Sequence, residues 1–147
     1  MRGSICLLLG MSLVACSSGT ASKTETTVCT YKEGDDEIRV TVKPDGEKIK
    51  TVDYEMITKS DEFKDVKEEE VAAFEKTMQD KMKDAEGLTV GVKVKDGAMI
   101  LTLSMDIAKI SEFPSLMQGT DFTVDQLKSA TVKEFVKELE EEGATCK

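Results

Sequence analysis

At 147 residues, 39% hydrophobic and 33% charged, the chain has room for one globular domain but not for two of ordinary size. It contains no His and no Trp, so the usual neutral-pH general base and the commonest metal ligand are both missing. A formal net charge of −9 sets it against nucleic-acid phosphate, and no nucleic-acid partner, metal or cofactor is expected.

Met1-Arg2-Gly3 carries one positive charge, and residues 5–14 (ICLLLGMSLV) follow with only Gly10 and Ser12 as breaks. A membrane-spanning helix needs about 20 apolar residues, so this run has the length of a signal-peptide core. A buried N-terminal helix is the competing reading, but SSGTASKT follows and no helical pattern continues. Ala15 precedes Cys16, with Leu13 three positions before the cysteine, and this LVAC run resembles the bacterial lipobox. The resemblance implies a diacylglyceryl group on the Cys16 sulfur, cleavage between Ala15 and Cys16, and a signal peptide over 1–15. Each buried methylene contributes roughly 0.8 kcal/mol, so two palmitate-type chains make a durable anchor where one is marginal. Residues 17–27 (SSGTASKTETT) then form a polar tether. Its root-mean-square span is roughly 18 Å if it is flexible. A chain starting at Cys16 carries 19 basic and 29 acidic residues, so acyl chains, and not surface charge, must hold it at the membrane. The expectation is an exported, lipid-anchored protein of the cell membrane or envelope.

The folded part is expected over 28–147. Residues 28–32 read as a first short strand and Glu33-Gly34-Asp35-Asp36 as a turn. Ile38, Val40 and Val42 alternate with Arg39, Thr41 and Lys43, the period of a half-buried strand. Lys43-Pro44-Asp45-Gly46 is a tight turn. A third strand over 47–58 puts Val52, Tyr54 and Met56 on one face. Ile49 and Ile57 fall on the other parity, which calls for a bulge or a partly covered second face. From about 66 to 85 the period changes: Val71, Phe74, Met78, Met82 and Ala85 form the stripe of an amphipathic helix, capped by Asp65-Val66-Lys67-Glu68 and ended by Gly87. Leu88, Val90, Val92 and Val94 alternate again, Asp96-Gly97 is a hairpin signal, and Met99, Leu101, Leu103 and Met105 return. Residues 107–121 are irregular. Thr123-Val124-Asp125-Gln126 and Thr131-Val132-Lys133-Glu134 both read as capping boxes, giving two helices or one kinked helix with Val132, Phe135, Val136 and Leu139 as its stripe and Gly143 as its stop.

This order, βββ-α-ββ-α with mostly hairpin links, specifies an α+β two-layer sandwich: a mainly antiparallel five-stranded sheet with helices on one face. Of four cysteines, Cys6 leaves with the signal peptide and Cys16 is consumed by lipid. Cys29 and Cys146 remain as an even pair in an exported chain; a disulfide is expected, with two free buried thiols as the alternative.

The LVAC run, a cysteine near the start of the first strand and the ending Glu142-Gly143-Ala144-Thr145-Cys146-Lys147 together resemble the small YehR-like lipoproteins, a bacterial family of unknown function. That resemblance implies an α+β domain and supplies no catalytic residues.

The remaining features have a plain and a sharper reading. Glu68-Glu69-Glu70 complements a helix dipole and stays solvated. Asp35-Asp36-Glu37 lacks the spacing of a calcium loop. The acids of residues 138–142 lie at a helix C-terminus, where the dipole disfavours them, and a partner-facing acidic patch is the sharper reading. Most methionines fall on apolar faces and read as core filler. Ile107, Ile110, Phe113, Leu116, Met117 and Phe122 make an unusually apolar segment that either caps the core or covers a ligand. No nucleophile, phosphate-loop or metal motif is present, so no catalytic residue is assigned and an enzyme is not expected. The reading is a monomeric surface lipoprotein with a non-enzymatic binding or interaction domain for an envelope partner or ligand. The alternative is a carrier of a small apolar ligand or peptide with residues 107–121 as a lid.

Overall fold

The computed structural model describes residues 25–113 and 123–147. Six antiparallel strands form one sheet: β1 (Thr27–Glu33), β2 (Asp36–Asp45), β3 (Lys48–Lys59), β4 (Leu88–Lys95), β5 (Ala98–Asp106) and β6 (Thr145–Cys146). Their spatial order is β4-β5-β3-β2-β1-β6. The α+β class and antiparallel sheet agree with the sequence reading, and the strand count is corrected from five to six. The added strand has two residues, too few to show an alternating pattern. It forms because Cys146 lies opposite Cys29 and Thr145 opposite Thr30.

Alternation decides which residues enter the core. Cys29, Val40, Val42, Val52, Leu103 and Met105 point to one face and are buried there under Leu127 of α2 (Val124–Ser129) and Val132, Phe135 and Leu139 of α3 (Val132–Glu141). The two capping boxes are real and separate, so these are two helices and not one kinked helix. The Thr123 hydroxyl accepts from the Gln126 N–H and the Thr131 hydroxyl from the Glu134 N–H. Ala130, extended between them, breaks the helical path. The parity conflict at Ile49 is resolved by a bulge: Lys43 faces Thr51 while Pro44 faces Ile49, and the skipped residue returns Ile49 to the buried side. Ile57 stays on the second face, across from Ile100.

The first long helix differs from its expected place. It spans α1 (Glu68–Met82), starts at Lys67 rather than Asp65, and follows a separate 3-10 turn over Asp61–Asp65 capped by Ser60. Only half of a capping box exists there: the Glu70 carboxylate accepts from the Lys67 N–H at 3.1 Å, and an ammonium has no lone pair with which to reciprocate. The helix buries no residue. Of its expected stripe, Val71, Met78 and Met82 are half-buried and Met82 packs against the core, while Phe74 is exposed, because α1 flanks the edge strand β4. The Val92 N–H donates to the Glu75 carboxylate at 2.8 Å, and the Gln79 amide donates to the Val90 carbonyl at 3.4 Å. The helix thus satisfies backbone groups that an open sheet edge would expose.

Gly87, expected to stop that helix, lies past its end with φ +78°. A Cβ there would stand 2.9 Å from the Lys109 side chain and 3.0 Å from the Asp106 carbonyl, so the close approach of this corner to the segment after β5 requires glycine. At the β4–β5 turn, Asp96 and Gly97 both take positive φ, the geometry of the expected two-residue hairpin.

Candidate functional site

Two short helices cannot cover this sheet. Helix α3, with 10 residues, is about 15 Å long, whereas the 12 residues of β3 extend about 40 Å. The helix-bearing face is therefore apolar and partly open at β2 and β3, while Val90 and Val92 of β4, the strand that α1 packs against, are buried. One row of it runs Tyr31, Ile38, Met56, Leu101 and Val92 across five neighbouring strands. Ile38 and Met56 remain 39% and 40% exposed, although they continue the same alternation that buries Val40 and Val52. Phe74 on α1 is 45% exposed. It lies about 100° round the helix from Glu75, on the flank away from Gln79.

One side of this strip is polar. The Tyr31 hydroxyl donates to the Leu139 carbonyl at 3.2 Å and to the Glu142 carboxylate at 3.4 Å, tying the end of α3 to β1. Burial and the nearby Glu142 push Tyr31 up to about 12. Tyr54, one row nearer the core, is raised further by burial and by Tyr31 and Glu142. Beyond Tyr31 and Ile38 the next pair on this face is Glu33 opposite Asp36. Opposed like charges destabilise a hairpin, and neither carboxylate has an ion-pair partner among the described residues. At the far end, beside the β4–β5 turn, an open groove of about 530 Å³ is lined by Phe63, Val66, Val71 and Val94 together with Lys64, Glu68 and Asp96.

The opposite face of the sheet is built differently. Arg39 bonds Glu37 at 2.7 Å and Glu55 at 3.2 Å, Lys43 pairs with Asp53 at 2.8 Å, and the Ser104 hydroxyl donates to Asp53. Its charges are largely matched, and nothing on it concentrates one chemical character.

Cys29 and Cys146 stand at disulfide distance, 2.02 Å between sulfurs. Their Cα atoms are 3.9 Å apart, on the short side even for a non-hydrogen-bonded antiparallel pair, in which the chains approach most closely. The flanking pair, Val28 and Lys147, exchanges both backbone bonds at 2.9 Å. Among the described residues no acidic side chain is buried and no cluster of metal-ligating groups occurs. No helix among them is long and apolar enough to cross a membrane. Of the expected lid residues, Ile107 and Ile110 are buried in the core and Phe113 packs against it. Leu116, Met117 and Phe122 lie outside the described residues, as do Ala15, Cys16 and the signal peptide. Sequence reasoning missed the open strip. Its signal was an apolar alternation in β2, β3 and β5 longer than the predicted helices after residue 122 could cover.

An open-faced antiparallel sheet with helices on one side is a small α+β architecture, and its fold has solved counterparts. No protein-family model matches the chain, and no curated protein matches it. Similar structures include the NMR structure of the YehR protein of Escherichia coli, at TM-score 0.61 and 17% identity, covering 84% of this chain and 91% of that one. They also include the NMR structure of a protein from Streptococcus pneumoniae TIGR4, at TM-score 0.55 and 13% identity, covering 83% of each chain. The chain shares the YehR fold.

Proposed function

We propose that this chain is an exported envelope lipoprotein of the YehR-like family, held by a diacylglyceryl group on Cys16, whose domain binds a partner without catalysis. The anchor rests on Leu13-Val14-Ala15-Cys16 and the polar run behind it, which ends where β1 begins at Thr27. The paired cysteines suit a chain that folds in an oxidising compartment. The binding role rests on one observation: the helices leave part of an apolar sheet face open at Ile38 and Met56, with Phe74 exposed on α1.

Two measurements test the two halves. Grown with an alkyne-bearing fatty acid, a bacterial host should label the wild-type chain and fractionate it with membranes, while Cys16→Ala should lose the label; equal labelling of both refutes the anchor. A photo-crosslinking side chain placed at Met56 should capture a partner in cells that the same group at Thr102, on the opposite face, does not. Equal capture refutes the binding face.

A further inference from the structure

The open strip has a chemical bias that the binding reading alone does not predict. Its apolar floor is Ile38, Met56 and Leu101. At the β1–β2 end stand three carboxylates, Glu33, Asp36 and Glu142. None of the three has a cationic partner among the described residues. Glu33 and Asp36 oppose each other directly, and Glu142 follows the last turn of α3, where the negative end of the helix dipole adds to its charge. On the opposite face of β1, β2 and β3 the acids are matched instead: Glu37 has Arg39 and Lys32, and Asp53 has Lys43. Unmatched negative charge therefore gathers where the apolar surface is exposed. A bound cation relieves the repulsion between Glu33 and Asp36, whereas a bound anion adds to it.

Resting on the reading of the domain as a binding module, we propose that the strip takes a basic amphipathic peptide segment of a partner, apolar side chains on Ile38, Met56 and Leu101 and a Lys or Arg toward Glu33, Asp36 and Glu142. An anionic or uncharged apolar ligand gains only the floor. A basic segment gains the floor and the acidic end together, and its affinity falls as salt screens the exposed charges.

The test uses the full-length chain in zwitterionic phosphatidylcholine nanodiscs, with empty nanodiscs as control. The probe is a dye-labelled Leu/Lys amphipathic peptide of about 14 residues, roughly four helical turns. It is compared by fluorescence anisotropy with a Leu/Glu peptide of the same pattern and a Ser/Lys peptide that lacks the apolar face. The Leu/Lys peptide should bind at least ~10-fold tighter than either, a difference of about 1.4 kcal/mol. Ile38→Thr with Met56→Thr, both exposed and both compatible with a strand, should lose that binding. Glu33→Gln, Asp36→Asn and Glu142→Gln together should erase the preference for Lys over Glu and the salt dependence. Equal binding of the Leu/Lys and Leu/Glu peptides would overturn the proposal while leaving an apolar binding face in place. Absence of Leu/Lys binding, or Ser/Lys binding of equal strength, overturns it as well.

Discussion

Breaking the Cys29–Cys146 link should cost this domain a large share of its stability, because the link closes almost the whole folded chain. The two cysteines are 117 residues apart. On the chain-entropy model a loop of that length stabilises by about 4–5 kcal/mol at room temperature. The total for a domain of this size is about 5–15 kcal/mol, so the loss is a sizeable fraction of it. The structure adds a local consequence. Strand β6 has two residues, and apart from the link it is held by the short ladder through Thr30 and Thr145 and by the exchange between Val28 and Lys147. So short a ladder at a chain end frays readily without a covalent tie. The assay is urea unfolding of the oxidised protein, the reduced protein and the Cys29→Ala, Cys146→Ala double variant. Reduction should lower the unfolding free energy by about 3–5 kcal/mol and the melting temperature by roughly 10–20 °C. The double variant should lose a further ~1 kcal/mol, because Cys29 is fully buried and its sulfur packs in the core. Hydrogen exchange at the Val28 and Lys147 amides should accelerate far more than exchange at Val40 or Leu103. Oxidised and reduced proteins that unfold within ~0.5 kcal/mol of each other would refute the entropic reasoning. Continued protection of Lys147 after reduction would show that β6 pairs without the covalent tie.

Three further outcomes follow from single residues. Gly87→Ala should destabilise by about 1–3 kcal/mol, since the new methyl meets the Asp106 carbonyl and the Lys109 side chain in a positive-φ conformation; an unchanged urea midpoint would show that the corner is softer than its geometry. Glu75→Ala should cost about 1 kcal/mol and speed exchange of the Val92 amide, while Glu75→Gln, which keeps an acceptor oxygen, should retain most of the protection. Between pH 10 and about 12 the unfolded chain releases the Tyr31 proton and the folded chain keeps it, so stability is complete below the unfolded value and falls as pH rises through this window. Tyr31→Phe should lessen that fall but not remove it, because Tyr54 is raised as well, and tyrosinate absorbance should show both wild-type hydroxyls titrating late.

The sequence alone determined the strands β1 to β5, the two-residue hairpin at Asp96-Gly97, both threonine caps and the pairing of Cys29 with Cys146. Each of these is written in contacts near along the chain or in a small set of eligible partners: alternation needs only neighbours, a capping box spans four residues, and a chain with four cysteines offers few pairings. Tertiary structure decided where the long helix went. The stripe of Val71, Phe74, Met78 and Met82 says that α1 has an apolar side, but a stripe cannot distinguish a sheet face from a sheet edge. That choice was made by Glu75 and Gln79, whose value appears only when the free N–H and carbonyl of β4 stand beside them. Ile49 was likewise placed by a bulge that exists only because β2 lies alongside β3. The exposed row through Ile38 and Met56 follows from a ratio of lengths. A strand advances about 3.3 Å per residue and a helix about 1.5 Å, so the helices run out before the strands beneath them do.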